Sequence, residues 1–120
     1  LVPVISPIGF DKSFETFNIN ADIMAGSIAS NINSERLILL TDVDGVLDRK
    51  GNLLTEISLN DIKKLIENGT ISGGMIPKIQ TCVKAVREGV KAAVILNGKV
   101  PHAILLEIFT ERGVGTLITS

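Results

Sequence analysis

The sequence contains no tryptophan and no tyrosine, and its aromatic side chains are four phenylalanines. At 3% aromatic it has no row of rings on which bases could stack, which argues against a nucleic-acid platform. Cysteine is almost absent too. With Cys82 alone, neither an internal disulfide framework nor a clustered thiolate metal site can form, and a reducing compartment such as the cytoplasm is expected. Charge of one sign is also missing. Twelve basic residues stand against 13 acidic ones, for a net charge of -1. No basic patch speaks for nucleic acid, and no like-charge run suggests a tail. No apolar run approaches the roughly 20 residues that span a bilayer, so no membrane partner is expected. The N-terminus carries no basic leader of the signal-peptide kind. It opens with LVPVISPIG, a strand pattern already under way, so the chain is expected to be a fragment.

What is present is a globular composition, 45% hydrophobic and 21% charged over 120 residues. A chain of that length makes one domain, or part of one, and can bury roughly two thirds of its unfolded surface. Val2 to Ile8 reads as a short strand and Asp11 to Phe17 as a polar loop or hairpin tip. Asn20 caps a helix whose stripe is Ala21, Ala25, Ile28 and Ile32, while Gly26, Ser27, Ala29 and Ser30 permit close approach. Arg36 to Thr41, with four consecutive aliphatics, reads as a buried strand. A loop follows, with a hairpin around Lys50, Gly51 and Asn52. Ser58 caps a second helix to about Glu67, stopped by Asn68-Gly69. Gly73-Gly74 precedes a third helix that carries Pro77 in its first turn and the face Met75, Ile79, Val83 and Val86. Lys91 to Leu96 is a strand, Pro101 opens a helix to about Arg112, and Thr116 to Thr119 is a last strand. Alternating strands and helices predict an α/β fold, three-layer αβα with a mostly parallel sheet. Ligands of such sheets bind beyond the carboxyl ends of the strands.

One such end is LILLTDVDGVLD, residues 37–48. An apolar strand running into Asp42-x-Asp44-Gly resembles the opening of haloacid-dehalogenase-like phosphatases. That chemistry needs an acidic pair after a later strand to hold Mg²⁺. Here the later strand ends in Asn97-Gly98-Lys99, and Glu107 and Glu111 read as the solvated face of the next helix. The phosphatase reading therefore fails. Taken alone, Asp42 and Asp44 are turn formers.

Two further stretches point to anionic substrates. In NINAD, Asn18 precedes a helix and Asp22 lies in its first turn, where the dipole favours a carboxylate. Capping alone would also explain it. GTISGGMIPK puts small residues before a helix start, where backbone N–H groups bind anions, with Lys78 adding a point charge. A glycine-rich turn with a solvated lysine is the plainer alternative.

NINAD, TDVDGVLD, GTISGGMIPK and NGKVPHAILLEIFTERGVGTLI, in this order and spacing, resemble the C-terminal half of the acetylglutamate kinases of the amino-acid kinase family. The resemblance covers essentially the whole chain. It implies the C-terminal lobe of that fold, a single nucleotide-binding lobe over residues 1–120 that lacks the N-terminal substrate half. The implied reaction is transfer of phosphate from ATP, with Mg²⁺ held mainly by the nucleotide, to the side-chain carboxylate of N-acetyl-L-glutamate, in arginine biosynthesis. That carboxylate is already ionised, so no general base is needed. The obstacle is repulsion, about 4 kcal/mol for two unit charges at 4 Å and an effective dielectric near 20. Lysines and Mg²⁺ counter it by positioning and neutralisation.

By this resemblance Lys78 stabilises the transferring phosphoryl group, Asp22 organises catalytic lysines and Asn18 binds acetylglutamate. Asp42, Val43, Asp44, Gly45, Val46 and Leu47, with Thr70, Ile71 and Ser72, hold the nucleotide. The x position of TDV-x-G-VL varies in the family, which makes Asp44 incidental. No residue is implied as a direct metal ligand. His102, Gly113 and Gly115 resemble the region where arginine binds in inhibited members; the plainer reading of His102 is a half-exposed histidine at a helix start. The family's glycine-rich phosphate loop, second lysine and substrate-gripping arginine belong to the other half, so this chain alone is expected to be inactive. A homo-oligomeric parent is expected. Two alternatives stay open: a related kinase of aspartate, carbamate or a nucleoside monophosphate, and a non-catalytic module that senses a nucleotide or amino acid.

Overall fold

The computed structural model describes residues 1–110 and 113–120. Strands β1 (Ile8–Phe10) and β2 (Thr16–Asn18) form a small antiparallel hairpin, with Ile8 opposite Asn18. The Asp11 side chain closes its tip by accepting the Ser13 and Glu15 amides at 2.8 and 3.0 Å. The expected strand at residues 2–8 is therefore displaced. Pro3 and Pro7 lack ladder donors, and pairing begins only past them.

The main sheet holds β3 (Arg36–Thr41), β4 (Glu56–Ser58), β5 (Ala92–Asn97) and β6 (Thr116–Thr119) in the order β3-β5-β6-β4. β3 with β5 and β4 with β6 are parallel; β5 with β6 is antiparallel. The mostly parallel expectation holds for two of the three pairings; the exception is β5 with β6, so β6 and β4 run opposite to β3 and β5. β4 is an element the sequence reading missed. It has three residues, too few for a period to show.

Helices α1 (Ala21–Asn31), α2 (Leu59–Glu67) and α3 (Met75–Arg87) cover one face of the sheet, and α4 (Ala103–Phe109) covers the other. β5 is the divider: Ala93 and Ile95 point into the larger core with Ile79 and Cys82, while Val94 and Leu96 point toward Ala103. Complete burial on both faces explains its unbroken run of aliphatics. β3 differs from its reading. Leu37 and Leu39 are buried, but Leu40 is 48% exposed. No helix among the described residues is long and apolar enough to cross a membrane.

The caps follow the residue chemistry. Asn20 accepts the Ile23 amide at 3.1 Å and Ser58 accepts the Asp61 amide at 3.3 Å. The face of α1 is a correction at the ends of its stripe, while the close approach expected at Gly26 and Ala29 is present. Its buried residues are Gly26 and Ala29, whereas Ile32 is 68% exposed and Ala21 is exposed. Small residues win this face because α3 crosses here: a Cβ on Gly26 would lie 2.7 Å from Thr81 Cγ2. On α3 the buried stripe is Ile79, Cys82, Ala85 and Val86, with Met75 and Val83 only partly buried.

The helix expected from Pro101 to about Arg112 starts later. His102 has φ 59, a left-handed conformation outside the helix, and α4 runs only from Ala103 to Phe109. Arg112 and Glu111 lie outside the described residues. Glu107 is not on a solvated face; it is 8% exposed. Its carboxylate accepts the Val114 amide at 3.0 Å and faces the Arg36 guanidinium at 3.6 Å. A buried carboxylate persists only with such partners.

Candidate functional site

Asp22 and Lys78, 56 positions apart, are brought together where α1 and α3 start. Lys78 Nζ donates to Asp22 Oδ2 at 2.7 Å, with side-chain exposures of 23% and 27%. Asp22 suits the positive end of α1, while Lys78 sits at the disfavoured end of α3, so the carboxylate offsets the lysine's unfavourable dipole. The cap residue of α3, Gly74, supplies no side-chain acceptor to the helix start. A cleft of about 450 Å³ opens here, lined in part by Asn20, Asp22, Gly74, Lys78 and Thr81. Asn18 lies just outside it, exposed at the end of β2.

Cys82 lies one turn below this pair. Burial first, then the Asp22 carboxylate, push its thiol from an ordinary value of 9.0 up to about 12, against the lowering effect of Lys78. An unfolded chain releases this proton near 9.0, whereas the folded chain keeps it until about 12. Between those values the folded state binds more protons, so stability falls as pH rises. Urea titrations from pH 8 to 11 should show a steeper alkaline decline in the wild type than in Cys82→Ala. Parallel slopes in the two proteins would rule out the thiol as the cause.

The second group lies in the loops. Residues 42–47 leave the carboxyl end of β3, with Asp42, Val43, Asp44 and Leu47 exposed and Gly45 and Val46 buried. Asp44 Oδ1 accepts from Asn97 Nδ2 at 2.8 Å, and Thr41 O accepts the Gly98 amide at 2.8 Å. Asp44 thus has a partner across the loop ends of β3 and β5, although it remains exposed. The Val46 amide donates to Thr116 Oγ1 at 2.8 Å. The hairpin expected at Lys50–Asn52 is present: Leu47 bridges Leu53, and Gly51 has φ 85. Asp48 accepts from Asn52, and these bonds hold its carboxyl below the ordinary value of 3.8.

Thr70 and Ser72 lie in the turn ahead of α3, and Ile71 between them is 1% exposed and anchors this turn in the core. The Arg49 guanidinium donates to the Asn68 carbonyl and so ties the hairpin after β3 to this turn. Sequence reasoning missed Arg49, Asn97 and Thr116, whose partners lie 19, 53 and 70 positions away. Among the described residues no hydrogen bond joins loop 42–47 to Asp22 or Lys78, and no three His, Cys, Asp or Glu form a metal-binding group. His102 is exposed, while Gly115 is buried against β5. A Cβ on Gly113 would overlap the Glu107 carboxylate.

A model of the amino acid kinase family matches residues 1–97. The chain belongs to this family. The acetylglutamate kinase of Novosphingobium aromaticivorans is 63% identical over 118 residues, and that of Bartonella tribocorum is 58% identical over 120. These matches take in 98% and 100% of the chain but 39% and 40% of the relatives, so this amino acid kinase chain spans about 40% of their length. Among solved structures, N-acetylglutamate synthase from Neisseria gonorrhoeae, complexed with coenzyme A and L-arginine, is 31% identical with a TM-score of 0.89. It matches 96% of this chain and 27% of its own. Carbamate kinase from Giardia lamblia, bound to AMP-PNP, shares the fold at 23% identity and a TM-score of 0.68, over 91% of this chain and 36% of its own.

Proposed function

We propose that this chain is the nucleotide-binding lobe of an acetylglutamate kinase, which transfers the terminal phosphate of ATP to the side-chain carboxylate of N-acetyl-L-glutamate. The observation that carries the reading is the 2.7 Å pair between Lys78 and Asp22 at the helix starts. The named relatives, more than half identical over the whole chain, support the substrate.

The division of labour follows from charge. Lys78 neutralises the phosphoryl oxygens as they approach the anionic acceptor. Asp22 holds the ammonium in place, because a lysine on a four-carbon stem otherwise spreads over many rotamers. Asn18, at the end of the hairpin, donates to the acceptor molecule. Asp42, Val43, Asp44, Gly45, Val46 and Leu47, with Thr70, Ile71 and Ser72, hold the nucleotide, largely through backbone groups. Mg²⁺ would travel with the ATP phosphates and neutralise their charge.

His102, Gly113 and Gly115 belong to a region we assign to an arginine effector. The relative complexed with L-arginine favours this. The parent enzyme is cytoplasmic and homo-oligomeric in this reading. The 120-residue chain alone binds nucleotide but does not turn over acetylglutamate, and substantial ADP release by it in a coupled assay would refute that.

Calorimetry tests the central claim. Titrated with ATP–Mg²⁺, Lys78→Ala should bind about tenfold more weakly than wild type, in line with loss of a charged hydrogen bond. Adenosine, which has no phosphates, should bind both proteins alike. Equal affinity of the two proteins for ATP would remove Lys78 from the phosphate site. Urea midpoints of both proteins confirm that each is folded under the titration conditions.

A further inference from the structure

We infer that Thr116 is a positioning residue for the loop at residues 42–47, acting through its hydroxyl on the Val46 amide. The inference rests on the nucleotide reading of that loop. It concerns a residue in the last strand, far along the chain from every other member of the site.

Thr116 is a polar side chain with 0% exposure. Burying a hydroxyl in an apolar surround is unfavourable unless the hydroxyl is hydrogen-bonded, and valine would fill the same space without that cost. The bond it makes is to the Val46 N–H, at 2.8 Å across 70 positions. The backbone opposite is shaped to admit it. Gly45 has φ 142, and a Cβ there would lie 2.6 Å from Thr116 Oγ1 and 2.8 Å from Leu53 Cδ1. Any other residue at 45 would push the hydroxyl away from the amide. Val46 itself is 1% exposed, and its carbonyl accepts the Leu54 amide at 2.8 Å. Nothing else named here takes up the Val46 N–H.

The loop is therefore held from both sides. On one side Asn97 and Gly98 hold Asp44 and Thr41, with the Asn97 bond lying at the surface. On the other side Thr116 holds Val46 in the dry interior. Water competes for the first contact and not for the second, so the second fixes the loop's path. A loop whose path is set before binding spends less free energy on ordering when a ligand arrives. Thr116 touches no ligand in this account; it sets where the exposed residues 42–44 stand.

The test compares Thr116→Val with Thr116→Ser. Valine keeps the methyl and the strand preference but puts a second methyl in place of the hydroxyl. Serine keeps the hydroxyl but loses the methyl and some strand preference. ADP–Mg²⁺ is titrated calorimetrically, amide exchange at Val46 is followed by NMR, and urea midpoints are recorded for each protein. The expected result is ADP binding about tenfold weaker in Thr116→Val, with loss of Val46 exchange protection. Thr116→Ser should restore both, even if its urea midpoint is the lower of the two. Binding that tracks global stability instead, with the serine protein weaker than the valine protein, overturns the inference. So does wild-type affinity in Thr116→Val. Absence of ADP binding by the wild type would overturn the nucleotide reading itself, an outcome distinct from either.

Discussion

Gly115→Ala should destabilise the chain by about 3 kcal/mol, the upper end of what an unaccommodated added methyl costs. Gly115 is buried just ahead of β6, where the chain passes over β5. A Cβ there would overlap the Ile95 carbonyl oxygen and lie 2.7 Å from Leu96 Cβ and 3.1 Å from the Ile95 carbonyl carbon. The obstacle is backbone in the middle of a sheet, which cannot rotate away as a flexible side-chain end would. Relief requires moving β6 off β5, and their pairing from Ala93 to Ile95 opposes that. A domain of this size has a total stability of about 5–15 kcal/mol, so the loss is a large fraction of it. At about 4 °C per kcal/mol the thermal midpoint should fall by about 12 °C. Calorimetric melting of both proteins decides the matter, and a shift below about 3 °C would mean that the strands separate with little resistance.

Ile79→Ala should cost about 3–4 kcal/mol, the usual range for emptying a large aliphatic site in a closed core. Ile79 has 0% exposure and lies among residues from the sheet and helices. Its sequence neighbour Lys78 makes an instructive contrast. The lysine is partly solvated, and deleting it removes one ion pair worth about 1 kcal/mol. Adjacent positions on α3 should therefore separate the two properties. Ile79→Ala lowers the urea midpoint sharply and leaves ATP affinity intact at low temperature, where the protein stays folded. Lys78→Ala does the reverse. If both substitutions moved both quantities equally, the helix start would have no separable functional surface.

How far the sequence carried is best seen residue by residue. Asn20, Ser58 and Gly51 act through contacts within a few positions, and their caps and turn were legible because local chemistry decides them. The meeting of Asp22 with Lys78 was legible only through the resemblance, since nothing local relates two helix starts 56 positions apart. Glu107 was misread as solvated. A charged residue in a helix is usually exposed, and what overrides this is Arg36 and the Val114 amide, both supplied by tertiary structure. The stripe of α1 was misread for a related reason. Hydrophobicity pointed to Ile32, but the closest neighbour, α3, required smallness and selected Gly26 and Ala29. β4 was missed because three residues carry no period; it is a strand by virtue of β6 beside it.

The place of β6 in the sheet also bears on how the chain is made. Thr116–Thr119 lies between β5 and β4, so the last strand to be synthesised among the described elements is an interior one. A ribosome that has released β3, α3 and β5 has released a parallel pair with one helical face already able to pack. Among the described strands β4, completed much earlier, pairs only once Thr116–Thr119 clears the exit tunnel. Until then the flank of β5 is an open edge, able to recruit a strand from another nascent chain. Synthesis that pauses before residue 116 should thus leave a species prone to strand exchange, and the step that closes the sheet is the same one that brings the Thr116 hydroxyl to the loop at Val46.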